Sequence, residues 1–138
     1  MSRILLAVSS NYAAQKVVDC IVDLSQRLAA EILVVHVSRP SGGQMREQEQ
    51  QEGESAIRYL RDKLVTRGVA VQDLLLFSDD IARAILNTAI EREASMIVLG
   101  LTGKNVFARL LAGNVPVELI KNTKIPVLIL PPDWNKTL

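Results

Sequence analysis

The sequence predicts an α/β fold: a parallel sheet covered by helices on both faces. Three observations carry this expectation. Short, continuous apolar runs recur along the chain, as buried parallel strands require. Segments with helical period separate them. The apolar content is rich in Val, Ile, Leu and Ala, and aromatics are few: Tyr12, Tyr59, Phe77, Phe107 and Trp134. The 138 residues suit one domain spanning 1–138, long enough to bury a core.

The first strand is Ile4–Val8, ended by the turn and cap formers Ser9-Ser10-Asn11. From Tyr12 the period changes, and Val17, Ile21, Leu24 and Leu28 step along one helix face, with Asp19, Asp23, Gln26 and Arg27 opposite. Ile32–Val37 is the second strand, closed by Ser38-Arg39-Pro40-Ser41-Gly42-Gly43. Residues Gln44–Glu54 are rich in Gln and Glu and contain Gly53. They read either as the frayed start of a helix or as a partly disordered loop. A firm helix begins at Ser55, carries Ile57, Leu60 and Leu64, and stops at Gly68.

Val69–Phe77 is a third strand, with Leu74–Phe77 as its buried part. Ser78-Asp79-Asp80 offers N-cap residues to a helix carrying Ile81, Ile85, Leu86, Ala89 and Ile90. Met96–Leu99 is the fourth strand. Gly100, Gly103 and Gly113 follow, then a helix from Val115 to about Lys121, with Pro116 tolerated in its first turn. Pro126 precedes the last strand, Val127–Leu130, and Pro131-Pro132 closes it. Strand and helix thus alternate throughout, which implies right-handed crossovers. In such sheets ligands bind beyond the carboxyl ends of the strands, where strand order reverses. The strand–loop–helix stretch from Met96 to Val117 is then a place where backbone N–H groups and a helix dipole hold a phosphate.

The balance of charge, +1 formally, argues against a duplex nucleic-acid partner, and the scarcity of aromatics against a single-strand platform. Cys20 is the only cysteine, so an intrachain disulfide is excluded; it reads as a small buried hydrophobe. The opening M-S-R-I-L-L-A-V is too short in apolar residues for a signal peptide, and no run of about 18 apolar residues exists to span a membrane. The expected compartment is the cytoplasm.

The spacing Gly100-x2-Gly103-x9-Gly113, followed by a small polar residue, resembles the nucleotide-binding motif of the universal stress protein family. The flanks M-I-V-L-G and T-K-I-P-V-L-I-L, the opening R-I-L-L-A-V and the V-V-H-V of the second strand are similar to that family too, so the resemblance covers essentially the whole chain. It implies a three-layer α/β/α sandwich whose five parallel strands run in the order 3-2-1-4-5. It also implies a homodimer formed through the last strand, Val127–Leu130. An apolar edge invites such pairing; the alternative is an edge covered by the tail, Pro131–Leu138, with Trp134 folded back.

The ligand implied is ATP, AMP or a cyclic nucleotide, with Mg2+ as a companion ion. Carried over by position, Gly100 and Gly103 bring the loop backbone to ribose and phosphate, and Gly113, Asn114 and Val115 present N–H groups to the phosphates. Val37 meets the adenine, and Val8, Ser9 and Ser10 form the other wall of the base pocket. Lys104 and Arg109 add positive charge or are solvated loop cations. Three departures stand out. Ser9-Ser10-Asn11 replaces the usual Asp-Gly-Ser type turn and lacks its carboxylate. Asn114 replaces the usual Ser or Thr, and Pro116 has no N–H to donate.

His36, the lone histidine, reads as a core or edge residue with a satisfied ring, and with one cysteine it leaves zinc without a ligand set. Asp79-Asp80 reads as a helix cap in preference to a metal site. No G-x-S-x-G or P-loop is present, and nothing supplies a phosphoryl-transfer base, so the expectation is a non-catalytic regulatory protein with at most slow ATP hydrolysis. A regulatory input domain of a transporter or sensor kinase and a nucleotide-free dimerisation scaffold are the other readings.

Overall fold

Each apolar run read as a strand forms one, and a helix follows each of the first four. The computed structural model describes residues 2–8, 11–40, 43–100, 115–131, 134 and 136–138. In chain order the elements are β1 (Ser2–Ala7), α1 (Asn11–Leu28), β2 (Ala30–Ser38), α2 (Gly43–Thr66) and β3 (Val71–Phe77). Then come α3 (Ile81–Glu91), β4 (Met96–Gly100), α4 (Val115–Asn122) and β5 (Val127–Leu130). The five strands form one sheet in the order β3-β2-β1-β4-β5, every pair parallel. β1 is central: Leu5 stands between Leu33 of β2 and Ile97 of β4.

The period of two along the strands splits the core into two layers. Ile4 and Leu6 of β1, with Ile32 and Val34 of β2, face α1 and α2, where Val17, Ile21, Leu60 and Leu64 meet them. Leu5 of β1, with Leu33, Val35 and Val37 of β2, faces α3 and α4, where Ile85, Ala89, Val115 and Leu119 meet them. Each such side chain removed from water contributes roughly 1.5–3 kcal/mol. At the amino end of the sheet Arg3 pairs with Glu31 and donates to the Arg92 carbonyl (2.6 Å), joining β1, β2 and the end of α3.

The architecture is the expected three-layer sandwich with order 3-2-1-4-5, but the exposure of three side chains differs. Of the two readings of Gln44–Glu54, the start of a helix is the one found, since α2 begins at Gly43. Gln, Glu, Met and Arg are good helix formers, and Gln50 Nε2 donates to Glu54 Oε1 one turn on (3.1 Å). Leu28, expected on the buried face of α1, is 46% exposed, because the chain leaves the helix at Ala29 (φ 48°). Ile90 is 57% exposed at the far end of α3. Phe77, expected to be buried, is 54% exposed, since it ends an edge strand.

Two expected terminators hold. Gly68 takes a left-handed conformation (φ 80°) just beyond α2, and Asp80 caps α3 by accepting from the Arg83 N–H at its Oδ1 (3.1 Å). Trp134 folds back against the core layer beneath α1, as the tail alternative anticipated, while β5 remains the sheet's edge strand.

Candidate functional site

The connections after β1 and β4 leave neighbouring strands in opposite directions, since β1 leads out towards β2 and β4 towards β5. This is the reversal in strand order at which a crevice opens. A cleft of about 80 Å³ lies there. Ala7 and Val8 contribute from β1 and just beyond it, Val35, His36 and Val37 from β2, and Leu99 and Gly100 from β4. Ile81 and Ile85 at the start of α3, with Val115 at the start of α4, close the sides.

Four of the nine sequence-predicted site residues, Val8, Val37, Gly100 and Val115, are thus brought together. Ser9, Ser10, Gly103, Gly113 and Asn114 lie outside the described residues, as do Lys104 and Arg109. Sequence reasoning missed Ala7, Val35, His36, Leu99 and the α3 wall. Ile81 and Ile85 were assigned to a helix face, yet the cap Ser78-Asp79-Asp80 that fixes the start of α3 also sets them beside the strand ends.

The described walls are apolar, and their one titratable residue, His36, turns its ring to the other face of the sheet, against Gly53 of α2. Such a lining accepts the face of a flat heteroaromatic ring, and backbone groups at the strand ends supply direction. At Val115 the chain enters α4, whose first-turn N–H groups have no intrahelical partner. Pro116 contributes none, so those of Val115 and Val117 remain, at the positive end of the helix dipole. Gly100 also has a packing reason to lack a side chain. A Cβ there would stand 2.9 Å from Val17 Cγ1, so the missing side chain is what lets α1 lie on β4.

His36 was expected to have a satisfied ring, and half of it is. Its Nδ1 lies 2.8 Å from the Val8 carbonyl, while Nε2 has no partner among the described residues. Ser38, two residues on and fully buried, likewise leaves its Oγ unpaired among them. Asp80 serves as a cap, and no cluster of three metal-ligating side chains occurs among the described residues. Nor is any helix among them long and apolar enough to cross a membrane.

Comparison with known proteins follows the same lines. The family described as "Universal stress protein family" matches residues 1–131. "Universal stress protein YxiE" of Bacillus subtilis is 23% identical over 146 aligned positions, covering 94% of this chain and 98% of that one. Among solved structures, the universal stress protein of Archaeoglobus fulgidus in complex with dAMP superposes with a TM-score of 0.70 at 20% identity, covering 94% and 97% of the two chains. A universal stress protein in complex with cAMP gives 0.66 at 17% identity, covering 94% and 96%. An Arabidopsis thaliana family protein with AMP bound gives 0.65 at 16% identity, covering 96% and 92%.

Proposed function

The chain belongs to the universal stress protein family, and on that premise we propose that it is a cytoplasmic regulatory protein that binds an adenine nucleotide and acts through its bound state rather than by catalysis. The observation that carries this reading is the apolar cleft at the strand reversal, where Val8, Val37, Gly100 and Val115 converge. Val37 and Val8 sandwich the base, and the start of α4 receives the phosphate. Relatives of the same fold hold dAMP, cAMP and AMP, which makes an adenosine monophosphate the first ligand to try.

Catalysis has little to work with in the described walls. His36, the one titratable residue among them, directs its ring to the opposite face of the sheet, against Gly53, with Nδ1 on the Val8 carbonyl. The ligand shifts the protein between two states only by its difference in affinity for them. The partner-facing state is assigned to a homodimer paired through the edge of β5, which has β4 on one side only.

Calorimetry with AMP, ATP with and without Mg2+, and cAMP tests the reading. Saturable heat with at least one of them is expected, as is excess absorbance near 260 nm in freshly purified protein. No heat and no thermal shift with any of them would sink it. Phosphate release from ATP above the protein-free rate would overturn the non-catalytic part alone, and a folded monomer in sedimentation at micromolar concentration would remove the dimer.

A further inference from the structure

The imidazole of His36 is 6% exposed and is wedged between two pieces of backbone. On one side Nδ1 meets the Val8 carbonyl at 2.8 Å. A carbonyl only accepts, so Nδ1 carries the hydrogen and donates it. On the other side lies Gly53 of α2. A Cβ built there would fall 2.0 Å from Cδ2 and 2.2 Å from Nε2 of the ring, so the imidazole occupies the space a side chain would need. Gly53 stands mid-helix, where glycine costs helix stability and has no turn to make. The close approach of His36 is the physical reason for it.

Val8 lines the cleft. Its N–H is held by the Val35 carbonyl (3.0 Å) and its C=O by His36, so both its backbone polar groups are tied to β2. The carbonyl belongs to a planar peptide, and holding it fixes the direction in which the chain leaves β1 at the cleft. The ring is pressed against α2 at the same time. A shift of α2 at Gly53 therefore moves the group that sets this wall.

We propose that His36 is a positioning residue for the nucleotide cleft, clamped between the Val8 carbonyl and Gly53, and that α2 sets the cleft's affinity through it. The proposal rests on the nucleotide-binding reading above and names the element that communicates with that site.

The test uses the 138-residue chain, AMP as the probe and its single histidine as reporter. Long-range nitrogen–proton spectra of the free protein read the ring's Nδ1-protonated form, and AMP shifts both ring nitrogens. His36→Leu removes the donor and weakens AMP binding about tenfold. His36→Asn, whose amide reaches the same carbonyl, keeps it within about threefold of wild type. Gly53→Ala weakens AMP binding comparably to His36→Leu, whereas in a His36→Ala chain, which has no ring for the new Cβ to meet, adding Gly53→Ala weakens it no further, a coupling that independent sites do not give.

A ring protonated only at Nε2 would overturn the clamp whether or not nucleotide binds. So would wild-type AMP affinity in folded His36→Leu together with unmoved ring signals, and that result would leave the nucleotide reading standing. Absence of AMP, ATP and cAMP binding by the wild-type protein would remove that reading and this proposal with it.

Discussion

Gly100 leaves no room for a side chain, since a Cβ would crowd Val17 Cγ1 at 2.9 Å and valine is stiff about χ1. Gly100→Ala should therefore cost about 1–3 kcal/mol of stability by overpacking. Urea unfolding reads this, and an unchanged midpoint would show that α1 yields freely. Cys20 makes a second prediction. Burial pushes its thiol above the ordinary range, the neighbouring Trp134 indole draws it back, and the Asp23 carboxylate pushes it up again. The folded state then prefers the neutral thiol. That contribution to stability is complete below the unfolded value, about 8.5, and is lost as pH rises through the higher folded value. Cys20→Ala should accordingly flatten the alkaline fall in urea midpoint, and parallel pH curves for the two proteins would contradict it. At this scale likeness to a known family singled out Val8, Val37, Gly100 and Val115, which the structure brings to one cleft. Sequence reading took His36 for an ordinary core histidine because nothing local reveals that Gly53, seventeen positions on, lies against its ring.

At the scale of elements, the nine described segments were legible from period and punctuation, and only the start of α2 was left open between two readings. A Gln/Glu-rich stretch with a glycine has no apolar stripe to announce a helix. Its helix is anchored instead by the later turns, where Ala56, Ile57, Leu60 and Leu64 are buried. Exposure of Leu28, Phe77 and Ile90 was equally hidden, because periodicity marks a face but not where a neighbouring element stops covering it. The α3 cap was legible and is testable. Asp80→Ala removes the acceptor for the Arg83 N–H and should lower stability by about 1 kcal/mol, seen as a lower urea midpoint with an unchanged slope. Since α3 carries Ile81 and Ile85 of the cleft wall, the same substitution should weaken AMP binding modestly, and a stability loss with unaltered affinity would mean that the first turn of α3 holds its place without the cap.

For the whole molecule, the order β3-β2-β1-β4-β5 makes the cleft a junction between two halves of the chain. A ligand that binds only the folded protein stabilises it by mass action, about 2.7 kcal/mol at a hundredfold excess over Kd. AMP at that excess should raise the thermal midpoint, and the rise should grow with the logarithm of concentration. A midpoint indifferent to AMP despite calorimetric binding would mean that the ligand also binds the unfolded chain. Strand alternation made the sandwich legible, whereas the order of its strands came from likeness to a known family, because periodicity alone does not say on which side of β1 a later strand inserts.

The pairing of Ile4 with Met96 has a consequence in time. β1 is made first, yet one of its edges waits for a strand encoded most of a chain length later, and closing so long a loop is entropically slow. During synthesis that half-finished sheet presents β1 as a bare edge until β4 emerges. The seam between them is also the floor of the cleft. In refolding, amide protection along β1 and β4 should rise after that along β1 and β2, and capacity to retain AMP should appear with it. Occupancy of the cleft therefore marks the moment at which the chain has finished becoming one sheet.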